Sequence, residues 1–516
     1  MLWACLLLPS LPLDVFARAA SPADAAKPFA VATGGRTPRI VSANAGARDA
    51  GIRAGQSVSA SLALSPDLLL RDRDPHAESA ALAAVAAWAT QFTPAVALAP
   101  PDAVLAEIGG SLRLFGGLRQ LTARLSRGAR DLGYATRLAL APTPAAALLF
   151  ARAAGKGSRF PDSLSRATSC MPTTSPVPDF AAAMQTDPHA LFAALASLPL
   201  SLTDADPDAL ATLAAAGVTT FGQACALPRA ALARRVGADF VALLDRVRGL
   251  VPDPRPPFVP PPRYTGRIDL PAPVESAEAL AFAVNRLVQE LAGWLRGRGL
   301  GIIEMSLTLA HERYVGVKTG VPATTVGFAL AAPAREPAHL VAVLRERLAR
   351  VALPAPVEAI TLASTATAPL AGRNLGWLPG DDAAATVPLL DRLRARLGED
   401  AVTLVAPHAE HRPERAWRST PANVVGPEPQ HRPLFAAAPR PIWLLAEPEP
   451  LGHLLEAQPW VLRDGPERIE SGWWDGADVR RDYFVAENPR GETTWIYRDH
   501  RYGIDDGEWF LQGVFA

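Results

Sequence analysis

The 516-residue chain has no surplus of charge: 51 Lys and Arg stand against 51 Asp and Glu, a formal net charge of +0. Tight binding of a polyanion needs excess cations facing the phosphates, so any DNA contact must be local or supplied by a partner. Cysteine is nearly absent. Cys5, Cys170 and Cys225 lie far apart, which fits neither a disulfide framework nor a metal knuckle and points to a reducing cytoplasm. No apolar run reaches the ~18 residues of a membrane span. The opening MLWACLLLPSLPL, followed by Ala17-Arg18-Ala19-Ala20, imitates a signal peptide, but no Lys or Arg precedes it. A buried central strand closed by Pro9 and Pro12 is the expectation, with a cleavable leader as the alternative. Walker, HExxH, CxxC and G-x-S-x-G motifs are all missing. The closest histidines, His408 and His411 in PHAEHRPERAW, have no cysteine or third ligand nearby, so this run reads as a solvated or interface loop rather than a metal site.

What is present is enough apolar material, 49% of residues against 20% charged, to build several cores at ~100–200 residues per domain. Residues 29–71 form a small subdomain with strands at Phe29–Thr33 and Arg39–Ser42. An Ala-rich helix follows at 75–92, and Ala103–Phe115 reads as two strands turning at Gly109-Gly110. Helix 118–132, strand 136–141 and helix 144–153 complete an alternating unit. Residues 186–249 are helical, and PDPRPPFVPPP at 252–262 is an extended tether. Residues 266–365 read β-α-β-β-α-β, a two-layer sheet-plus-helix domain. Leu389, Leu390, Leu393 and Leu397 keep helical spacing, whereas 406–441 reads mostly as loop. Six of the eleven tryptophans (443, 460, 473, 474, 495 and 509) crowd the last 75 residues, the mark of a compact β module or an interface.

One segment is specific. IVSANAGARDAGIRAGQSVSASLALSP at 40–66 resembles the fingers of Y-family translesion DNA polymerases, in which Asn-Tyr-x-Ala-Arg precedes a Gly-hydrophobic-x-x-Gly turn. The segments 103–117, 213–249 and 264–365 resemble that family's palm hairpin, helix-hairpin-helix thumb and little finger. Beyond them LLDRLRARLGEDAV, HRPERAW, GPERIESGWWDG and DYFVAENPRG are similar to the polymerase-like proteins of bacterial mutagenesis cassettes. The resemblance implies an α+β fold. Its parts are a palm at 1–13 and 75–165, fingers at 14–74, a thumb at 166–250, a little finger at 262–366, a linker region at 367–441 and an interaction module at 442–516.

Departures from the pattern bear on mechanism. Nucleotidyl transfer needs carboxylates that hold two Mg²⁺ ions, and the family takes one from the first palm strand and an Asp-Glu pair from the palm hairpin. Here the strand is Leu2-Trp3-Ala4-Cys5-Leu6-Leu7-Leu8 and the pair is Gly109-Gly110, leaving Glu107 as the nearby acid. In the triphosphate contacts Tyr is replaced by Ala45 and Asn-Lys by Thr143-Pro144, while Arg48 stays as a vestigial nucleotide contact. The expectation is no catalytic residue and no metal or other cofactor, with Glu107 a solvent-facing strand residue. An atypical active polymerase using Glu107 or Asp14 is the rival. In the thumb, the phosphate-gripping glycine turn falls on Asp204-Ala205-Asp206, which repels phosphate. Arg234 and Arg235 remain as DNA-binding candidates, and the little-finger strands 302–310 and 322–330 carry no basic residue.

What the resemblance leaves is recruitment: an adaptor in SOS-induced translesion synthesis that joins a sliding clamp, an error-prone replicative-type polymerase alpha subunit and a RecA-like accessory protein. Clamps accept short extended peptides of the form Gln-Leu-x-Leu-Phe. Asn374-Leu375-Gly376-Trp377-Leu378 and Gln430-His431-Arg432-Pro433-Leu434-Phe435 qualify, on residues Asn374, Leu375, Trp377 and Leu378 or Gln430, Leu434 and Phe435. For the partner protein, Trp473 and Trp474 are the candidates, expected on opposite faces of a strand so that one stays outside.

Overall fold

The computed structural model describes residues 1–20, 25–154, 188–277, 279–313, 316, 318, 320–370, 383–398, 400–421, 440–452, 460–501 and 507–515. Residues 1–396 form one compact unit and residues 397–516 a second.

The apolar N-terminus becomes β1 (Trp3–Leu7), which pairs on both edges: Cys5 lies opposite Leu105 on one side and Ala139 on the other. Covered on both faces, it has no polar side to show. After it come α1 (Leu11–Ala17) and the fingers segment, where β2 (Phe29–Ala32) runs between antiparallel β3 (Ile40–Ala43) and parallel β4 (Leu69–Asp72). Two short helices, α2 (Ala45–Asp49) and α3 (Val58–Leu64), complete it. The chain then builds α4 (Pro75–Ala89), β5 (Val96–Ala99), β6 (Ala103–Glu107), α5 (Leu118–Asp131), β7 (Arg137–Ala141) and α6 (Pro144–Ala153). The palm sheet runs β5-β6-β1-β7, antiparallel throughout.

The expected hairpin around Gly109-Gly110 is not there. The chain reverses earlier, between β5 and β6, and Gly109–Ser111 is a single 3₁₀ turn. The reason is edge availability: β1 occupies the far side of β6, so the chain leaving Glu107 has no strand left to pair with.

Among the described residues, five helices fill the segment expected to be the thumb: α7 (Pro188–Ala196), α8 (Pro207–Ala215), α9 (Phe221–Ala226), α10 (Arg229–Val236) and α11 (Ala238–Arg248). They share a core with α6 and one face of the palm sheet. The Pro-rich tether is pinned as it crosses the palm, with Phe258 N–H donating to the Val96 carbonyl at 2.7 Å.

The little finger follows the expected order: β8 (Thr265–Val274), α12 (Ala281–Arg298), β9 (Leu300–His311), β10 (Ala323–Ala334), α13 (Pro337–Leu348) and β11 (Val357–Pro369). Its antiparallel sheet runs β10-β9-β11-β8, with both helices packed on one face. α14 (Ala383–Leu397) is inverted for a surface helix. Asp391 and Arg394 are buried while Leu389, Leu393 and Leu397 are exposed. Asp391 explains the orientation, because it accepts the Ala331 N–H at 2.7 Å and pairs with His339 at 2.8 Å; turning the leucines inward would orphan both donors.

In the second unit, part of the stretch expected to be loop forms a hairpin of β12 (Thr403–Pro407) and β13 (Trp417–Pro421). The Trp-rich tail is a five-stranded antiparallel sheet, in the order β14 (Trp443–Pro450), β18 (Trp509–Val514), β17 (Thr493–Asp499), β16 (Val479–Glu487) and β15 (Val461–Ser471). In its core Trp495 stacks on Tyr483, and Tyr497 lies tilted against the same tyrosine.

Candidate functional site

At the palm, Glu107 lies at the end of β6 opposite Trp3. It is half-buried rather than solvent-facing, and its Oε1 accepts the backbone N–H groups of Leu2 at 2.9 Å and Gly109 at 3.1 Å. Both donors lie where the chain enters and leaves the sheet, with no ladder partner, so the carboxylate serves as a backbone cap. A Cβ at Gly109 would sit 2.7 Å from that oxygen, so the local packing has closed around a residue without a side chain.

Asp14 is remote from Glu107. Its Oδ2 accepts the Ala135 N–H at 3.0 Å, two residues before Arg137, which pairs with Leu7 at the other end of β1. That is about 13 Å along a strand of this length. Burial pushes the Asp14 carboxyl up to about 7, against the pull of the Ala135 N–H, Arg286 and Arg18. Among the described residues no three His, Cys, Asp or Glu side chains gather into a metal-ligating group. Glu107 and Asp14 are therefore too far apart to share a two-metal centre, whose ions lie ~3.5–4 Å apart.

The nucleotide-contact positions have structural partners. Arg48 donates to the Ala43 carbonyl at 2.7 Å. Asn44 caps α2 through the Ala47 N–H and ties the preceding loop through the carbonyls of Ala25 and Lys27. Thr143 caps α6 through the Ala146 N–H, with Pro144 at its first turn, and its hydroxyl donates to the Val247 carbonyl.

In the thumb segment both aspartates of the expected glycine turn have partners. Asp204 pairs with Arg152 at 2.6 Å, and Asp206 caps α8 by accepting the Ala209 N–H. A cavity of about 710 Å³ between the two thumb turns is lined by Asp204, Asp206, Asp239 and Asp253 against Arg246 and Arg255, a wall with more acid than base. Arg234 and Arg235 are exposed in the last turn of α10. On the uncovered face of the little finger, register places Arg267, Thr361, Thr308 and Thr325 in one row across all four strands. Arg267 is held by Asp269 at 2.7 Å, so this row offers hydroxyls and no unpaired cation.

Both clamp-peptide candidates, Asn374, Leu375, Trp377 and Leu378 and Gln430, Leu434 and Phe435, lie outside the described residues, as does Cys170. Trp473 and Trp474 do not alternate across a strand as expected. They stand in the turn after β15, where side chains need not alternate, and both are exposed, by 80% and 58%. Their rings meet edge to face at 5.6 Å.

Sequence reasoning missed the polar junction beneath them. Arg412, 2% exposed, bonds both oxygens of Asp475, at 3.0 and 2.7 Å, together with Glu410 and the Ala477 carbonyl. The PHAEHRPERAW run draws attention by its histidines, but its useful signal is an arginine flanked by Glu410 and Glu414.

Residues 14–152 match the model of the impB/mucB/samB family. Over 510 residues, 90% of this chain and 100% of the relative, the chain is 31% identical to Protein ImuB of Caulobacter vibrioides, in strains NA1000 and CB 15 alike. Among solved structures, an insertion ternary complex of Dbh DNA polymerase is similar at 13% identity and a TM-score of 0.38. DinB from Sulfolobus solfataricus is similar at 12% and 0.35. Each likeness covers 70% of this chain and 98% of the other.

Proposed function

The chain belongs to the ImuB family, and from that membership we propose that it is a Y-family-polymerase-like adaptor without polymerase chemistry, acting in SOS-induced translesion synthesis in the cytoplasm. In this reading it links the sliding clamp to an error-prone replicative-type polymerase alpha subunit and a RecA-like ImuA-type accessory protein.

The observation that carries the non-catalytic half is the occupation of Glu107. The carboxylate nearest the hairpin position accepts two backbone N–H groups, and Gly109 and Gly110 stand where a metal-binding pair would be. Primer extension with Mg²⁺ or Mn²⁺ on the purified chain tests it. No template-dependent incorporation is expected; extension that Glu107→Ala abolishes would establish an active polymerase instead.

Weak DNA affinity is supported by the acid-rich thumb cavity and the hydroxyl row of the little finger, leaving Arg234 and Arg235 as a local phosphate contact. Recruitment then falls to linear and aromatic motifs. Losing two apolar anchors from a short peptide typically costs ≥ 2 kcal/mol, roughly 30-fold in affinity. Replacing Trp377 and Leu378, or Leu434 and Phe435, with Ala should abolish clamp binding in a surface-immobilised clamp assay. Parent-like binding by both double variants would move the contact elsewhere. The exposed Trp473–Trp474 pair is the docking surface for the partner protein.

A further inference from the structure

The Trp473–Trp474 turn is held from below by a loop that no recruitment role yet accounts for. The turn opens at Gly472 and closes near Gly476, both at positive φ (88° and 75°), and a Cβ at Gly472 would come within 2.5 Å of Arg412 Nη1 and 2.6 Å of the Ala477 carbonyl. Arg412 fills that space. Its two terminal nitrogens fork onto Asp475, and the same guanidinium reaches the Ala477 carbonyl and Glu410. Asp475 in turn accepts the Ala477 N–H at 3.1 Å and a bond from Arg415 at 2.7 Å. The guanidinium carbon also lies 5.8 Å from the Trp474 ring centre.

The loop itself is anchored to the sheet. Glu414 accepts from Arg481 on β16 and Gln512 on β18, and the Ser471 hydroxyl donates to Glu410 at 3.0 Å. A planar fork fixed at both ends restricts the turn far more than a single point charge would.

We infer that the loop at 408–416 is a presentation device, in which Arg412 is the positioning residue that preforms the Trp473–Trp474 pair for an uncharged, indole-accepting pocket on a folded partner protein. The inference rests on the docking role given to the two tryptophans above. Two physical points support it. Ordering rotamer-rich side chains before binding removes that cost from association. The carboxylates beside the turn are consumed internally: hydrogen bonds from Arg412 hold both Glu410 and Asp475 down near 2. The turn at 472–477 therefore offers aromatic surface with its one charged side chain, Asp475, already paired, a contact that salt screens weakly.

The test uses the full chain, with the purified polymerase alpha subunit and the purified RecA-like protein as titrants. Arg412→Lys keeps the charge and loses the fork. It should speed amide hydrogen exchange at 472–477 and weaken binding to the titrant about tenfold, although every tryptophan remains. Asp475→Asn leaves the Arg412–Glu410 pair in place and should act in the same direction; it decides the question if Arg412→Lys lowers the melting temperature of the second unit. Parent affinity should change less than threefold between 0.05 and 0.5 M salt.

Unchanged exchange at 472–477 overturns the inference. So does parent-like affinity of Arg412→Lys and Asp475→Asn when Trp473→Ala/Trp474→Ala has lost binding. A steep salt dependence rejects the uncharged pocket. Parent-like binding by the double Trp variant removes the docking reading itself, and this inference with it.

Discussion

Asp14 shows how one buried carboxyl sets a pH dependence. Its value is raised to about 7, chiefly by burial, so the folded state holds the proton more tightly than the unfolded chain, whose carboxyl titrates near 4. The contribution of Asp14 to stability is therefore greatest below pH 4, falls between about 4 and 7 as ionisation is forced on the buried group, and is level above. Asp14→Asn keeps an acceptor for the Ala135 N–H without a charge. It should be more stable than the parent at pH 8 by ~2–4 kcal/mol and equal to it below pH 4. Urea midpoints across that range measure the difference; parallel curves would contradict it. Substitution at Glu107 has the opposite sign. Glu107→Ala orphans the N–H groups of Leu2 and Gly109 and should lower stability by ~1–3 kcal/mol at neutral pH, while leaving mutagenesis in cells unchanged.

Helix α12 is joined to the palm by shape and by a buried charge pair. Trp88 of α4 fits into notches left by Gly128 of α5 and Gly293 of α12, where a Cβ would collide with the indole. Next to this wedge, Arg18 at the end of α1 pairs with Glu290 of α12, and donates to the Tyr134 hydroxyl at 2.5 Å; Tyr264 completes the cluster through Glu290. A buried pair tolerates the loss of one partner poorly. The little finger is consequently fixed against the palm by both steric and polar contacts. Gly293→Val should expel the indole, lower stability by ~2–3 kcal/mol and open the 252–262 tether to a broad-specificity protease. Equal cleavage rates for parent and variant would show that the wedge is not what fixes the domain.

At the scale of the whole chain, the two compact units divide the labour of the proposed adaptor. The second unit has its own aromatic core and its own polar junction at Arg412, so removing its sheet should not disturb the core of residues 1–396. Deleting 442–516 should leave clamp binding intact and abolish partner co-purification and induced mutagenesis. A truncated chain that retains both partners would reduce the sheet to a structural cap. Among the described residues no helix is long and apolar enough to cross a membrane.

Local pattern alone determined much of this protein. The apolar run Trp3–Leu7 reads as a doubly covered strand because it carries no polar face, and the β-α-β-β-α-β order of 265–369 follows from periodicities that switch cleanly between 2 and 3.6. Glycines at 109 and 110 are legible as the absence of acids. Three features were decided only by tertiary structure. Sequence could not show that β6 had given its free edge to β1, which turned the expected hairpin into a 3₁₀ turn. Nor could it show that Asp204 and Asp206 are engaged by Arg152 and a helix N-terminus. The third is the Arg412–Asp475 fork, which joins residues 63 apart in sequence. A hydrophobic period records which face of an element is buried, whereas the partner of a charge is chosen by a chain reversal many residues away, and a single sequence carries no local trace of that choice.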